Sequence, residues 1–425
     1  MTDTIFALSS GAPPAAIAIV RISGPQAGPA LQALAGRLPA PRRAVAATLH
    51  GADGTELDSV LALWLPGPGT ATGEDTAELH CHGGRAVVAA VTDALAALPG
   101  LRAAQPGEFT RRAFVNGRIN LAEAEGLADL LSAETELQRR AAQAMAGGAL
   151  SKQVDAWRET VLVLSAAVEA ALDFADEDDV AGLPADFGQR LAALEGQIQT
   201  WLDRPRAEAL REGFRVVLAG PPNAGKSTLF NALVESEAAI TAPLAGTTRD
   251  VLTRPVGIGG VPFLFLDTAG LREAAAEPVE AIGIARAREA VSHADLVLWL
   301  GAEGQGPADC WEIEAQIDHP DHGTKVAPRH RVSALTGAGL DALRADLVTT
   351  ARVALPKSGE AALSQRQHGL LGEAAVALHQ AAQLSDPLLV AESLRLARMG
   401  FDSLLGRTTT EDMLNTLFGR FCIGK

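Results

Sequence analysis

The stretch Phe214-Arg-Val-Val-Leu-Ala-Gly220-Pro-Pro-Asn-Ala-Gly225-Lys226-Ser227-Thr-Leu-Phe-Asn-Ala-Leu233 decides the fold of the middle of this chain. An apolar run, a glycine-rich turn and an amphipathic segment follow one another, which predicts a buried strand, a loop and a helix. Gly220, Gly225 and the Lys226-Ser227 pair fit the spacing G-x-x-x-x-G-K-S, in which backbone N–H groups and a helix N-terminus hold phosphates. Lys226 would neutralise the outer phosphates, and Ser227 would bind magnesium. The stretch therefore predicts a nucleoside di- or triphosphate site.

The composition indicates a globular protein of two or three domains. The chain has 425 residues, of which 48% are hydrophobic. Its formal net charge of −15 argues against one broad nucleic-acid-binding surface, so an RNA partner would need a local basic patch or a second protein. The three cysteines, Cys81, Cys310 and Cys422, are far apart and odd in number, which favours a reducing compartment. Without a basic leader or a bilayer-length apolar run, we expect a soluble, cytoplasmic protein.

The pattern of apolar residues changes along the chain and predicts the domain boundaries. Residues 1–118 alternate short β-like runs with turns and contain one predicted helix. Residues 119–212 have helical spacing, residues 213–347 form the nucleotide module, and residues 348–425 are helical again. We therefore expect an N-terminal α/β domain and one helical domain into which the nucleotide domain is inserted.

Two clusters of potential metal ligands have a simpler interpretation. His80, Cys81 and His82 lie on a predicted strand, where alternate side chains point to opposite faces and three ligands cannot converge. Packing is the favoured interpretation of these residues. The acidic run 173–179 lacks the spacing and the central glycine of a calcium loop, which favours a solvated connector.

Two further stretches are typical of GTPases. Residues 237–250, Glu-Ala-Ala-Ile-Thr-Ala-Pro-Leu-Ala-Gly-Thr-Thr-Arg-Asp, form a loop whose threonine could bind magnesium when a γ-phosphate is present. Residues 263–270 predict a buried strand that ends in Asp-Thr-Ala-Gly. This places the Asp267 carboxylate beside the metal and the Gly270 amide at the γ-phosphate. Together with the phosphate loop, these stretches predict a GTPase.

These motifs closely resemble those of the MnmE (TrmE) family of tRNA modification GTPases. The resemblance covers nearly the whole chain and extends outside the nucleotide module to residues 20–24, 64–68, 72–75, 105–114 and 421–425. It implies a multidomain α/β plus all-α fold. The parts would be an N-terminal α/β domain for folate binding and dimerisation, a helical domain and an inserted P-loop (Ras-like) G domain.

The resemblance also implies an activity and its partners. The protein would be a cytoplasmic homodimer that works in a complex with the FAD-dependent protein MnmG (GidA). The complex would install an aminomethyl or carboxymethylaminomethyl group at C5 of the wobble uridine of certain tRNAs, with 5-formyltetrahydrofolate or a related folate as one-carbon donor.

The alternative is a regulatory GTPase switch in ribosome assembly without folate chemistry. That alternative predicts an RNA-binding appendage with a basic face, which this acidic chain does not offer.

Roles at the nucleotide follow from the resemblance. Ser227 and Thr248 would bind Mg²⁺, and Asp267 would support that ion indirectly. A potassium ion would stabilise charge on the phosphates as an arginine finger does in other GTPases. Leu271 occupies the position where a catalytic glutamine could follow, so the resemblance nominates Glu280, acting through a bridging water, although a solvated helix glutamate is the alternative. The implied potassium ligands are Asn223, Ala242, Leu244 and Thr247. The other implied nucleotide contacts are Ala224, Gly225, Lys226, Thr228, Pro243, Ala245, Gly246, Thr268, Ala269, Gly270, Asp318, Ser333, Ala334 and Leu335.

The guanine-binding motif departs from the family pattern. No Asn-Lys-x-Asp tetrapeptide occurs, and residues 311–318 keep only the aspartate, Asp318, which would accept from the guanine N1 and N2 donors. Residues 333–339, Ser-Ala-Leu-Thr-Gly-Ala-Gly, resemble the second guanine loop, where the Ala334 amide could contact O6. We expect GTP to be preferred to ATP through these two residues but to bind more weakly than with a full motif.

The resemblance places a folate site in the N-terminal domain. Its residues would be Arg21, Glu78 and Arg118, a set that suits an anionic pterin-glutamate ligand. Taken alone, these charges would be interpreted as surface ion pairs. The tail thiol of Cys422 is either buried or delivered, together with Lys425, to the folate pocket, and both interpretations stay open.

Two basic pairs are candidates for tRNA contact. They are Arg111-Arg112 and Arg139-Arg140, and the alternative for each is a solvated helix face. The partner protein would then supply most of the binding to tRNA phosphates.

Overall fold

The computed structural model describes residues 3–173, 183–235, 253–267, 291–408, 411–419 and 421–424. The chain divides into two compact units, one formed by Met1–Ala128 with Asp402–Lys425 and the other by Asp129–Phe401. In the described part, no helix is long and apolar enough to cross a membrane.

The N-terminal unit is built on a six-stranded sheet in the order β3-β4-β5-β2-β1-β6. Buried residues alternate with more exposed ones along much of β2 and β4, as expected for a sheet with one covered face, whereas β1 is buried at four consecutive positions. Neighbouring strands are antiparallel except β1 and β6, which are parallel. The elements are β1 (Thr4–Leu8), β2 (Ile17–Ser23), α1 (Ala27–Ala35), β3 (Ala44–His50), β4 (Glu56–Leu65), β5 (Thr76–His82), α2 (Arg85–Ala96), β6 (Leu101–Ala103) and α3 (Glu108–Val115).

The two faces of this sheet differ. Helices α1 and α2 cover one face, where Leu31 and Leu95 pack against Ile22 and Leu79. On the other face, α3 contributes Phe109 to a small apolar cluster with residues of β1. The rest of that second face is partly open to solvent. This open surface is where Arg21 of β2 and Glu78 of β5 lie side by side in register.

Between residues 121 and 212, the part of the chain that the structure describes contains five helices. Long helix α6 buries residues at positions three and four apart, including Trp157, Val161 and Leu164, which is the apolar stripe that the sequence predicts. Helix α5 begins with a capping box between Thr135 and Gln138. The helices are α4 (Leu121–Ser132), α5 (Glu136–Ala146), α6 (Ala149–Asp173), α7 (Phe187–Leu202) and α8 (Ala207–Glu212).

The described residues of the nucleotide module form a second sheet of six strands, in the order β12-β11-β10-β7-β9-β8. All neighbours are parallel except β8 and β9. The sequence order reverses at β7, and ligands of such sheets bind beyond the carboxyl ends of the strands at this point. The predicted strand, loop and helix are confirmed by β7 and α9. The elements are β7 (Phe214–Ala219), α9 (Lys226–Glu235), β8 (Thr253–Ile258), β9 (Val261–Asp267), β10 (Leu296–Trp299), β11 (Trp311–Glu314) and β12 (His330–Arg331).

Helices resume after this sheet, as the sequence predicts. Helix α11 (Gln365–Gln383) packs along α7, so helices from before and after the nucleotide module contact each other. The turn between β8 and β9 is fixed by α5 and α10, because Leu137 N donates to Gly260 O at 3.0 Å and Arg352 Nη2 donates to Gly259 O at 3.3 Å. The helices are α10 (Leu340–Ala354), α11 (Gln365–Gln383), α12 (Pro387–Leu405) and α13 (Glu411–Phe418). The α/β plus helical fold class is confirmed.

Candidate functional site

The loop between β7 and α9 has the backbone that a phosphate cradle needs. Three of its residues have positive φ angles, 150° at Gly220, 63° at Asn223 and 85° at Gly225. Glycine adopts such angles without a steric penalty, and asparagine is among the few other residues that tolerate them. These angles turn the chain sharply before α9 begins. The N-terminus of α9 therefore follows a compact loop, as in phosphate-binding sites.

Lys226 places a positive charge inside this loop. Its side chain is almost completely buried, with 6% of the residue exposed. Nζ donates to the carbonyl oxygens of Gly220 at 3.0 Å and Pro221 at 2.7 Å. A buried ammonium group held by backbone carbonyls at a helix N-terminus is suited to neutralise a phosphate.

The loop and the first turn of α9 carry oxygen-bearing side chains, but many of the predicted contacts lie outside the described residues. Asn223, Ser227 and Thr228 are exposed residues of the loop and of the first turn of α9. Ala224 is partly buried. Asp267 is the last described residue of β9, and the predicted Thr-Ala-Gly that follows it lies outside the described residues. Outside the described residues lie Ala242, Pro243, Leu244, Ala245, Gly246, Thr247, Thr248, Thr268, Ala269, Gly270, Glu280 and Lys425.

The predicted guanine contacts lie beyond β11 and β12. Asp318 is exposed, and a hydrogen bond from the buried Ser333 hydroxyl lowers the pKa of its carboxyl group. Thr336 N donates to the same Ser333 oxygen at 3.0 Å. Ala334 is partly buried and Leu335 is exposed. Ser333 thus holds a charged carboxylate in place at the loop that resembles the second guanine loop.

One residue at this site was missed by the sequence analysis. Gln316, in the segment after β11, has its Nε2 atom 3.4 Å from the carbonyl oxygen of Asn223 in the phosphate loop. Its position was the only indication in the sequence that Gln316 belongs to this site. Gln316 lies two residues before Asp318, where the full Asn-Lys-x-Asp motif has lysine.

A second candidate site lies on the open face of the N-terminal sheet. Arg21 Nε and Glu78 Oε1 are 3.0 Å apart, and His80 Nε2 lies 3.4 Å from the other carboxylate oxygen. The Arg21 guanidinium is 5.9 Å from the centre of the Phe109 ring. All three charged or polar groups are partly buried. The arrangement combines two hydrogen-bonding groups with an aromatic surface.

The third predicted folate residue is positioned by the loop between β4 and β5. Arg118 Nε donates to the carbonyl oxygen of Thr70 at 3.1 Å. Nearby, Asn116 Nδ2 donates to the carbonyl oxygen of Thr72 at 2.7 Å. The structure therefore brings Arg21 and Glu78 into direct contact and fixes Arg118 on this loop.

The C-terminal tail lies against the same unit. Gly107 N donates to Cys422 O at 3.4 Å, and Ser9 Oγ donates to Gly424 O at 2.9 Å. Ser9 follows β1, which pairs with the strand that carries Arg21. Cys422 is exposed. The interpretation of Cys422 as a buried residue is therefore wrong.

Among the described residues of the N-terminal unit, Arg112 is the most deeply buried charge. With 0% of its surface exposed, it donates to Glu74 Oε2 at 3.1 Å, Asp3 Oδ1 at 3.0 Å and Glu108 Oε1 at 3.3 Å. Burial raises the pKa of Glu108, but hydrogen bonds from Arg102, Gln105 N and Arg112 outweigh it, and the net pKa is lowered. Both earlier interpretations of Arg112, as a tRNA contact and as part of a solvated face, are wrong.

Of the other basic residues in those pairs, Arg139 and Arg140 are exposed and Arg111 is partly buried. Arg139 Nε and Arg140 Nε both bind the exposed Glu136 carboxylate, at 2.8 Å and 2.6 Å. Arg111 binds Glu411 at 2.5 Å. These ion pairs fit a solvated helix face and leave the prediction of tRNA contact open for these three arginines.

On β5, Cys81 is buried and His82 is exposed, which confirms the alternation predicted for that strand.

Comparisons with known proteins place the chain in a family. The family model described as the GTP-binding protein TrmE N-terminus matches residues 4–118, and that of the MnmE helical domain matches residues 121–422. The tRNA modification GTPase MnmE of Novosphingobium aromaticivorans is 66% identical over 100% of both chains. Those of Erythrobacter litoralis and Rhizorhabdus wittichii are 61% and 59% identical, over 100% of this chain and 100% and 97% of theirs. The chain therefore belongs to the MnmE family of tRNA modification GTPases and is a GTP hydrolase that acts in tRNA modification.

Proposed function

We propose that the chain is a potassium-stimulated, magnesium-dependent GTPase that works with an FAD-dependent MnmG partner. The pair installs an aminomethyl or carboxymethylaminomethyl group at C5 of the wobble uridine of certain tRNAs, with a folate as one-carbon donor. The observation that carries the GTPase part is the phosphate loop at the carboxyl end of β7, with Lys226 buried inside it. The folate part is supported by the Arg21–Glu78 pair beside Phe109.

The residues of the phosphate loop fit the cations that the family implies. Ser227 would hold Mg²⁺ with its hydroxyl, together with Thr248, and Asn223 would offer its side-chain oxygen to K⁺. When bound, the two cations neutralise charge on the phosphates during hydrolysis. Asn223 suits this role because it is an exposed residue of the loop whose side-chain amide carries an oxygen, and its φ angle is 63°. Glu280, acting through a water, would orient the nucleophile.

The potassium proposal is tested by hydrolysis rates in KCl, RbCl and NaCl at equal ionic strength. We expect similar rates in K⁺ and Rb⁺, whose radii are close, and a slower rate in Na⁺. Asn223→Ala removes the difference, whereas the control Asn231→Ala, at an exposed position of α9, retains it. Equal rates in all three salts, or an unchanged potassium effect in Asn223→Ala, would exclude potassium at Asn223.

The folate proposal is tested by equilibrium dialysis of the full chain against 5-formyltetrahydrofolate. Arg21→Ala removes a charge-assisted partner and is expected to weaken binding by about tenfold or more. The matched control is Arg43→Ala, which truncates an exposed arginine of the same unit. Absence of binding by the unmodified chain, or equal binding by both variants, would contradict the assignment. Arg118, Lys425 and the exposed Cys422 thiol are proposed to complete this site.

We further propose that the chain is a homodimer and that tRNA is bound mainly through the MnmG partner. The open face of the N-terminal sheet supports dimerisation, because Ile17 and Leu61 are 58% and 49% exposed on it. Sedimentation of the chain and of Leu61→Asp tests this, since a dimer that uses this face dissociates in the variant.

The activity as a whole is tested by the modified nucleosides of tRNA from a strain that lacks the chain. An unchanged wobble-uridine profile would overturn it.

A further inference from the structure

The loop between β4 and β5 closes one end of the open face of the N-terminal sheet. Arg21 and Ser23 lie two positions apart on β2, so their side chains leave the same face of the sheet. The Ser23 hydroxyl is 2.7 Å from the Thr72 hydroxyl of that loop. The same loop holds Arg118 through the carbonyl oxygen of Thr70. A ligand that begins at Arg21 and follows β2 towards its end is therefore directed to this loop and to Arg118.

A cavity of about 420 Å³ begins at Arg118. It lies between the segment that joins α3 to α4 and the residues that follow α12. Two arginines, Arg118 and Arg407, line it together with Asn120 and Phe114. Its volume is in the range of small-molecule sites, which are about 300–1,000 Å³. The cavity is therefore large enough to hold an extension of a ligand that is bound at Arg118.

Gly406 places Arg407 at this cavity. Its φ angle is 81°, which residues with a Cβ seldom adopt. An added Cβ would lie 2.8 Å from Leu121 Cβ and 2.9 Å from the Phe114 ring. The chain packs directly on α3 and α4 here because residue 406 has no side chain. Arg407 follows at once, and its N atom donates to Asp402 O at 2.8 Å, which fixes its position.

The charges around the cavity favour an anionic ligand. Nη1 and Nη2 of Arg118 have no hydrogen-bond partner among the described residues, since only its Nε donates to the chain. Arg407 Nη1 lies 3.4 Å from the Asp402 carboxylate, which offsets part of its charge. The carboxylate of Glu123, which also lines the cavity, accepts from Asn120 N at 3.0 Å at the start of α4. Guanidinium groups form strong, bidentate hydrogen bonds with carboxylates, so a ligand with several carboxylates fits this wall.

We propose that the cavity binds the γ-linked glutamate tail of a polyglutamylated folate, with Arg407 as a contact for the tail carboxylates. This rests on the folate site proposed above and gives it an order, in which Glu78 faces the ring and Arg118 faces the first glutamate. Each further glutamate adds one negative charge to the ligand. Because the ring is already bound, the tail meets Arg407 as part of the same molecule, and the entropic cost of its binding is low. A free anion lacks this tether and should bind the cavity weakly.

The test is equilibrium dialysis of the full chain against 5-formyltetrahydrofolate with one glutamate and with three γ-linked glutamates. We expect the triglutamate to bind about tenfold tighter, as one additional charge-assisted contact gives. The quantity compared between proteins is the ratio of the two dissociation constants, because a variant that folds less well changes both constants and not their ratio. Since the gain is electrostatic, it should shrink as the KCl concentration is raised.

Substitutions at Arg407 test the contact itself. Arg407→Ala should reduce the ratio to about one, and Arg407→Lys, which keeps the charge, should restore most of it. Arg407→Glu should reverse the preference, so that the triglutamate binds more weakly than the monoglutamate. The matched control is Arg37→Ala, which truncates an exposed arginine of the same unit and should retain the ratio of the unmodified chain.

The outcomes separate this inference from the function on which it rests. If the unmodified chain binds neither folate, the proposed folate site fails and the tail site fails with it. If it binds the monoglutamate and the triglutamate equally, the folate site stands and the tail site is overturned. An unchanged preference for the triglutamate in Arg407→Ala also overturns the tail site, because Arg407 would then not contact the tail.

Discussion

The phosphate loop and the Arg21–Glu78 pair are assembled in different ways. In the loop, residues within one stretch of eight, 220–227, supply the turn, the ammonium group and the hydroxyl. The Arg21–Glu78 pair depends on strand register, because β2 and β5 must align these two residues opposite each other. A local site tolerates changes elsewhere in the protein, whereas a site built from register depends on the packing of its whole unit. The two sites should therefore respond differently to mutation.

The largest effect is expected at Lys226. Lys226→Ala removes the buried cation from the phosphate loop and should lower kcat/KM for GTP by about a thousandfold. Binding of 5-formyltetrahydrofolate by the same variant should be unchanged, because the two sites belong to separate units. Steady-state GTP hydrolysis and equilibrium dialysis measure the two. Loss of folate binding in this variant would show that the sites are coupled.

Arg112 provides the reverse comparison. Arg112→Ala leaves the carboxylates of Asp3, Glu74 and Glu108 without their common partner and should destabilise the N-terminal unit by about 3–5 kcal/mol. Urea unfolding followed by hydrogen exchange of peptides from this unit measures the loss. Mant-GDP binding should persist. The control is Arg111→Ala, whose exposed pairing with Glu411 should contribute less than about 1 kcal/mol. Equal destabilisation by both variants would contradict the buried network.

The cysteines distinguish the core of the N-terminal unit from its tail. Burial raises the pKa of Cys81 to about 12, and the residue is 2% exposed. Cys422 is exposed. Cys422 should react with N-ethylmaleimide at neutral pH at least about tenfold faster than Cys81, because only an accessible thiolate attacks the reagent. Mass spectrometry of timed samples gives both rates. Faster labelling of Cys81 would mean that the sheet opens readily.

The smallest effect concerns acid stability. The pKa of Glu108 is lowered in the folded state, because the hydrogen bonds from Arg102, Gln105 N and Arg112 outweigh burial. Its contribution to stability is therefore fully present above the pKa of the unfolded chain and is lost as pH falls through the folded pKa. Urea midpoints of the unmodified chain should fall more steeply below about pH 4.5 than those of Glu108→Gln. If the urea midpoints of the two proteins fall equally steeply with pH, Glu108 does not contribute to the acid sensitivity.

The same contrast explains what the sequence alone could predict. The strand, loop and helix around residues 214–233 are predicted by the spacing of apolar residues and by two glycines. The helices on both sides of the nucleotide module are predicted by apolar residues that recur every three or four positions. The burial of Arg112 could not be predicted, because its carboxylate partners are up to 109 residues away along the chain. A pair of adjacent arginines on a helix has the same local pattern whether it faces solvent or a buried cluster.

Gln316 shows the same limit within the nucleotide site. Its sequence position identified a lost lysine, and the loss predicted a weaker pocket. The contact with the phosphate loop depends on the left-handed φ of Gln316 and on the order of three parallel strands. Neither property is encoded in the residues next to it. Asp318 was predicted as a guanine contact, but the Ser333 hydroxyl that lowers its pKa comes from a loop fifteen positions later.

The central claim is that backbone amides around residues 220–227 hold the phosphates of GTP. Amide hydrogen exchange of the full chain, measured by mass spectrometry with and without GDP and Mg²⁺, tests it most directly. Peptides that cover residues 220–228 should gain the strongest protection on binding, and Lys226→Ala should lose that gain. Nucleotide binding without protection of these peptides, or with its strongest protection in the N-terminal unit, would contradict the claim.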